Sequence, residues 1–283
     1  MNANDALPDP AHITVTSLGS GSSGNALLVE TASTTVLVDC GIGVRKLTHA
    51  LAATGKRLQD VDAVLLSHEH VDHSREAGRV QRVGATIIGT RGTVQSASLG
   101  GGPCELLVRE RSVTLGELDI SGIPVAHDAA EPCGFLIRAS TTTVCVFTDL
   151  GSVSGAVAEA VTEADLVVVE ANHDEQMLRR GPYPLHLQRR ILADTGHLSN
   201  AATAELLATA LRNAGKSPAI WLAHLSEKNN RPRLAVSAVT QRLAQSGLRL
   251  DVEALPRRET GPTWRSDAAR TVQRQLTLDL FSG

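Results

Sequence analysis

Apolar runs of strand length recur along the chain, separated by short polar breaks: "ITVTS", "NALLVET", "TTVLVD", "AVLLS", "ATIIGT", "ELLVRE", "SVTLGELDISGIPVAH", "GFLIRA", "TTVCVFTD", "LVVVEAN" and "AIWLAHLS". They are rich in Val, Ile, Leu and Thr, the signature of sheet-forming segments. Between and after them lie stretches with helical spacing, "GVRKLTHALAATG", "GAVAEAVTEA", "NAATAELLATALRNAG" and "LAVSAVTQRLAQSG". Clustered strands with helices interposed predict an α/β protein, sheets covered by helices, rather than a sandwich or a bundle. The pattern holds through "DVEALP", so residues 1–256 read as one domain. Residues 257–283 turn basic and polar before ending on leucines and read as a C-terminal tail in which Gly261 and Pro262 serve as a tether.

Composition narrows this picture without redirecting it. At 283 residues and 42% hydrophobic content the chain can bury a full core. A net charge of -3 gives no global basic signal, so contact with nucleic acid would need a local patch. Cys40, Cys104, Cys133 and Cys145 form no C-x-x-C pair and read as free thiols of a reducing compartment. The N-terminal "MNANDALPDPAHITV" lacks the basic flank and apolar core of a signal peptide, and no run is long enough to cross a bilayer. A soluble, cytoplasmic protein is expected.

The chemistry concentrates in "VLLSHEHVDH". His68 and His70 alternate on an extended segment and so face one side, while Asp72 and His73 follow at the start of a helix. Two such pairs can serve two adjacent cations. Further along, apolar strands end in single ligand-type residues: Asp39, His127, Asp149 and His224. Taken singly, each is as readily a capping residue as a ligand. Together they share the strand-end position at which α/β sheets place their sites.

These motifs resemble those of the metallo-β-lactamase fold hydrolases, whose H-x-H-x-D-H signature is followed by His, Asp and His at strand ends. The resemblance runs from "TSLGSGSSGN" to "DVEAL" and implies an αββα architecture, two mixed sheets face to face between helical layers. It implies two divalent metal ions, Zn²⁺ or Mn²⁺, one held by His68, His70 and His127, the other by Asp72, His73 and His224, with Asp149 bridging and Asp39 fixing the H-x-H-x-D-H loop from behind. "SLGSGSSGN", "EANHDEQML", "GPYPLHLQRRIL", "DTGHLSN" and "AHLSEKNN" are similar to the YycJ/WalJ-type DNA exonucleases of this family. By likeness to the RNase Z and PhnP-type branches, His197 is the candidate general acid, Asp72 being the other catalytic candidate. A plain loop histidine ahead of a helix capped by Ser199 is the alternative for His197. The stretch between Asp149 and His224 is filled by core elements, leaving no room for the second domain of RNase J.

The substrate implied is DNA, with RNA as an option, digested from a 5' end in repair or replication. A small cyclic phosphodiester or a thioester is the rival, since one fold hosts many chemistries. Asn25 in the Gly/Ser-rich turn, with Ser226 and Asn229, are candidate phosphate contacts, although such a turn is equally a plain hairpin connection. Arg179, Arg180, Arg189 and Arg190 bunch next to the proposed site, as do Lys228, Arg231 and Arg233, which suggests a phosphate-backbone track. Only six aromatic residues exist, so recognition is expected to be sequence-independent and salt-sensitive. Finally, "QLTLDLF" resembles the peptides by which bacterial repair proteins dock on the DNA sliding clamp. Gln275, Leu276, Leu278, Leu280 and Phe281 would be its contacts.

Overall fold

The computed structural model describes residues 12–267. Strands β1 (Thr14–Gly19), β2 (Ala26–Glu30), β3 (Thr35–Val38), β4 (Ala63–Leu66), β5 (Thr86–Gly89) and β6 (Cys104–Leu106) line up in that order in a first sheet. Strands β7 (Ser112–Leu115), β8 (Leu118–Pro124), β9 (Cys133–Ala139), β10 (Thr142–Phe147), β11 (Leu166–Glu170), β12 (Ala219–Ala223) and β13 (Val252–Ala254) form the second. Strand β14 (Thr263–Arg265) returns to the first sheet and pairs antiparallel with β1. Each sheet is mixed: β3 to β6 run parallel, as do β10 to β13, and the remaining pairs are antiparallel.

The strands read as continuous apolar runs because both faces of each sheet are covered. Alternate residues go to different cores. Val36, Val38, Ala63 and Leu65 of the first sheet meet Phe135, Ile137, Val144, Val146, Val168 and Trp221 of the second. Their neighbours Leu37, Val64, Leu66 and Ile87 point the other way, onto helices α1 (Val44–Ala53), α3 (Ala77–Arg82) and α4 (Arg91–Ser96). In the second sheet Cys145, Phe147, Val167, Val169, Ile220 and Leu222 face α5 (Gly155–Glu163), α8 (Asn200–Leu211) and α9 (Pro232–Gln245). The three cores are the three interfaces of a four-layer αββα stack, the architecture expected from the sequence. Among the described residues no helix is long and apolar enough to cross a membrane.

Helix α2 (Val71–Ser74) forms where the sequence places the start of a helix and carries the second half of the H-x-H-x-D-H motif. Four short helices lie outside the stretches read as helical, α3, α4 and two more. Helices α6 (Glu175–Arg180) and α7 (Leu185–Ile191) occupy the stretch that the sequence marks only by its arginines. One boundary also moves. Gly261 and Pro262, read as part of a tail, are bonded to β1: the Gly261 amide donates to the Ser17 carbonyl, and the Ser17 amide to the Pro262 carbonyl. Residues 261–265 therefore belong to the sheet edge, and the clamp-like peptide at 275–281 lies outside the described residues.

Phe135 is completely buried between the two sheets. Phe135→Ala is expected to destabilise the fold by about 3–5 kcal/mol through lost contacts and an unfilled cavity. Equilibrium denaturation measures this directly, and a cost below about 1 kcal/mol would mean that the sheets are not packed face to face at this ring.

Candidate metal centre

Parallel strands deliver their carboxyl ends to one side of a sheet, so the two parallel blocks aim their last residues at a common edge. Asp39 follows β3, His68 and His70 follow β4, Asp149 follows β10, Glu170 ends β11 and His224 follows β12. Asp39, Asp149 and His224 all have left-handed backbone, with φ of 58°, 53° and 53°. Non-glycine residues seldom adopt this conformation, and it turns each chain sharply out of its strand. Gly41 is needed for a different reason. A Cβ there would lie 1.7 Å from the Asp72 carbonyl oxygen, so the chain after β3 passes backbone against backbone under α2. Amide contacts from Asn25 to the Asp72 carbonyl and from Cys40 to the His73 carbonyl close this packing.

The side chains so placed form overlapping ligand sets, two of them those expected from the sequence. Donor atoms of His68, His70 and His127 lie within 4.8 Å of one another, as do those of Asp72, His73 and His224; so do those of His68, His73 and Asp149, and those of Asp149, Glu170, His197 and His224. Nε2 of His127 is 3.3 Å from Nδ1 of His70. Oδ2 of Asp72 is 3.4 Å from Nε2 of His224 and 3.7 Å from Nε2 of His73. Asp149 stands between the sets, with Oδ2 2.8 Å from Nε2 of His73 and Oδ1 3.7 Å from Nε2 of His127. Asp149 thus touches both sets, its Oδ1 lying nearer Nδ1 of His224, at 3.4 Å, than Nε2 of His127.

The donor chemistry fits two divalent cations. Nε2 of His68 is buried without a hydrogen-bond partner, a costly state unless something else occupies its lone pair. Burial drives the His68 imidazole toward its neutral form, reinforced by the neighbouring His73. His73 and His224 go the opposite way. Burial alone would lower them, but Asp149 and Asp39 hold His73 well above its usual value, while Asp149, Asp72 and Glu170 push His224 up to about 10. For Asp149, burial opposes ionisation, yet the surrounding imidazoles hold it well below the carboxylate range. A field that keeps protons on buried imidazoles is one that attracts metal ions, and cation binding would release those protons.

Behind the ligands stands a layer of oriented carboxylates. Oδ2 of Asp39 is 2.7 Å from Nδ1 of His73, and its Oδ1 accepts the Ser67 amide at 2.9 Å. The Ser67 hydroxyl also lies 3.0 Å from Nδ1 of His68. Such carboxylate–imidazole pairs fix which ring nitrogen faces the metal. Glu170 plays the corresponding part on the second sheet, and sequence reasoning missed it. It is fully buried, its Oε1 lies 2.9 Å from Nδ1 of both His197 and His224, and its Oε2 accepts the amides of Leu150 and Leu198. Its only sequence signal was its position at the end of "LVVVE", the same strand-end position used by the ligands.

The remaining candidates divide. His197 reaches the cluster, 3.5 Å from Asp149 and tied to Glu170. Ser199 does cap α8, by accepting the Ala202 amide, so the capping loop and the site histidine are the same segment. Ser226 and Arg190 line a pocket of about 300 Å³ in front of the ligands. Asn25 does not reach it. It is buried, its side chain accepts the Gly21 amide and donates to the Gly21 and Asp72 carbonyls, and its Nδ2 lies 2.9 Å from Nε2 of His73, which braces the turn against the ligand cluster. Asn229 is likewise buried, its amide bonded to the Ser226 hydroxyl. Arg179, Arg180 and Arg189 are exposed on α6 and α7 and do not line the pocket.

Loss of an orienting carboxylate should loosen the metal without removing a ligand. Asp39→Asn is expected to lower metal affinity by about 10- to 100-fold. Competition with a chromophoric chelator reads this, and an unchanged affinity would mean that Asp39 does not orient His73.

The sequence and the fold have close counterparts. Residues 34–218 match the family model described as the beta-lactamase superfamily domain. The chain is 36% identical over 244 residues to exodeoxyribonuclease WalJ of Streptococcus pneumoniae, covering 83% of this chain and 90% of that protein. It is 34% identical over 260 residues to exodeoxyribonuclease YycJ of Bacillus anthracis, covering 87% and 94%. Among solved structures, the metallo-β-lactamase fold protein YhfI from Bacillus subtilis superposes with a TM-score of 0.67 at 19% identity, over 90% of this chain and all of that one. With its αββα layers and its edge of histidine and aspartate ligands, the chain belongs to the metallo-β-lactamase fold hydrolases, in their WalJ/YycJ branch.

Proposed function

We propose that this protein is a metal-dependent DNA exonuclease that digests from the 5' end. The observation that carries the reading is a carboxylate-backed histidine, His197, set beside a two-metal ligand cluster in a chain over a third identical to an exodeoxyribonuclease. Two divalent cations, Zn²⁺ or Mn²⁺, held by His68, His70, His127, Asp72, His73, His224 and the bridging Asp149, would supply the Lewis acidity that makes water a nucleophile and offsets charge on a phosphodiester.

The chain's own groups supply the proton and the position. The Glu170 carboxylate requires a proton on Nδ1 of His197, which leaves Nε2 as the nitrogen that delivers a proton to the departing oxygen. Burial would lower the His197 imidazole, but Glu170 and then Asp149 raise it above its usual value, the direction a proton donor needs. Exposed Arg179, Arg180, Arg189 and Lys228 are placed to meet phosphates of the strand outside the pocket. The 275–281 segment would tether the enzyme to the sliding clamp and raise its local concentration on DNA in repair or replication.

Metal-loaded wild-type protein is expected to release nucleotides stepwise from 5'-labelled linear DNA, with a steep loss of rate as salt rises. His197→Ala should cut the rate by about 10²- to 10⁴-fold while metal content stays unchanged. No cleavage of any polymer by fully metallated protein would contradict the proposal and direct attention to a small phosphodiester or ester.

A further inference from the structure

Base recognition looked unsupported in the sequence, which holds so few aromatic residues. Their distribution is what matters. Among the described residues, Phe135, Phe147 and Trp221 are buried in the cores and Trp264 packs against one of them. The one tyrosine of the chain, Tyr183, instead lines the pocket in front of the metal ligands. It stands there half-buried, in a lining that also includes Leu187 and Ile191 of the same segment and His70, Asp72 and His197.

The segment that presents this ring is stiff. Tyr183 lies between Pro182 and Pro184, so φ is fixed on both sides of it and its own backbone is confined to extended values. Gly181 anchors the near end, since a Cβ there would come within 2.6 Å of the Met177 carbonyl and 2.8 Å of Oδ1 of Asn229. Pro184 starts α7 at the far end, and Gln188 of that helix donates back to the Tyr183 carbonyl at 2.8 Å. Helix α7 is itself pinned across the pocket: Nε of Arg190 lies 2.6 Å from Oδ2 of Asp128, the residue next to the ligand His127. An aromatic ring held this way loses little freedom when a ligand stacks on it.

The pocket is thus lined both by candidate metal ligands and by apolar and aromatic side chains, and about 300 Å³ is the lower end of the range for sites that enclose a small ligand. A nucleotide has matching halves, an anionic phosphate and a flat base. We propose that Tyr183 is a substrate-binding residue on which the base of the terminal nucleotide stacks, and that the pocket closed by α7 admits one nucleotide at a time. The proposal rests on the DNA exonuclease reading above and adds to it a base-binding subsite, sequence-tolerant because every base has a π face.

The test is a double-mutant cycle with metal-loaded protein. Wild type, Tyr183→Ala and Tyr183→Phe are each given an oligodeoxynucleotide that carries either an ordinary or an abasic residue at the attacked end, both ends being tried. Tyr183→Ala should raise KM for ordinary DNA by about tenfold or more, with metal content unchanged, and Tyr183→Phe, which keeps the ring, should restore wild-type KM. The abasic end should cost wild type a similar factor and cost Tyr183→Ala nothing further. Wild type that digests DNA while the two losses multiply, or while Tyr183→Ala leaves KM unchanged, overturns the base-stacking proposal alone. Wild type that digests no DNA overturns this proposal together with the functional reading on which it rests.

Discussion

Everything at the working edge depends on the field of four carboxylates, Asp39, Asp72, Asp149 and Glu170, gathered among six imidazoles with little water around them. Like charges buried at this density repel, and unpaired buried charge is strongly destabilising. The structure resolves the conflict by pairing each carboxylate with an imidazole and by reserving the inward nitrogens for cations. The depressed Asp149, the elevated His73 and His224 and the orphaned Nε2 of His68 are four expressions of one field. The rigid sheets make such crowding tolerable, since the ligands cannot swing apart to relieve it.

Much of this was legible in the sequence because strand ends and metal ligands leave strong local signals. Asp39, His127, Asp149 and His224 each follow an apolar run, and the H-x-H-x-D-H motif gathers its ligands within six positions, so period and residue type together locate the edge. Helix-covered sheets were legible for the same reason, since strands buried on both faces lack a polar alternation, whereas the αββα stacking followed from the family resemblance. Glu170 was not legible because its task is set by residues far along the chain, His197 and His224, and a single glutamate after a strand has many uses. Asn25 was misjudged for a related reason: a polar residue in a Gly/Ser turn has the same composition whether it faces a ligand or braces the backbone. Only the tight passage at Gly41 and the bonds to Gly21 and Asp72 decide between the two. The C-terminal boundary was drawn too early because β14 is a three-residue edge strand in a basic, polar stretch, recognisable only by its pairing with β1.

The two sheets contribute unequally to function. The first supplies the H-x-H-x-D-H loop and its orienting Asp39. The second supplies Asp149, Glu170, His197 and His224, and between β11 and β12 it also inserts α6 and α7, of which α7 lines the pocket. Arginines that the sequence groups together separate by task in three dimensions: Arg190 ties α7 to the His127 loop, while Arg179, Arg180 and Arg189 face outward. One short insertion therefore carries both pocket-lining residues and an exposed group of arginines.

The central claim is that this edge is built for two cations sharing Asp149. Counting metal ions per folded chain tests it most directly: apo-protein prepared with a chelator and dialysed against a slight excess of Zn²⁺ or Mn²⁺ should bind two equivalents and release protons as it does so. A folded wild-type protein that retains one equivalent or none would contradict the account.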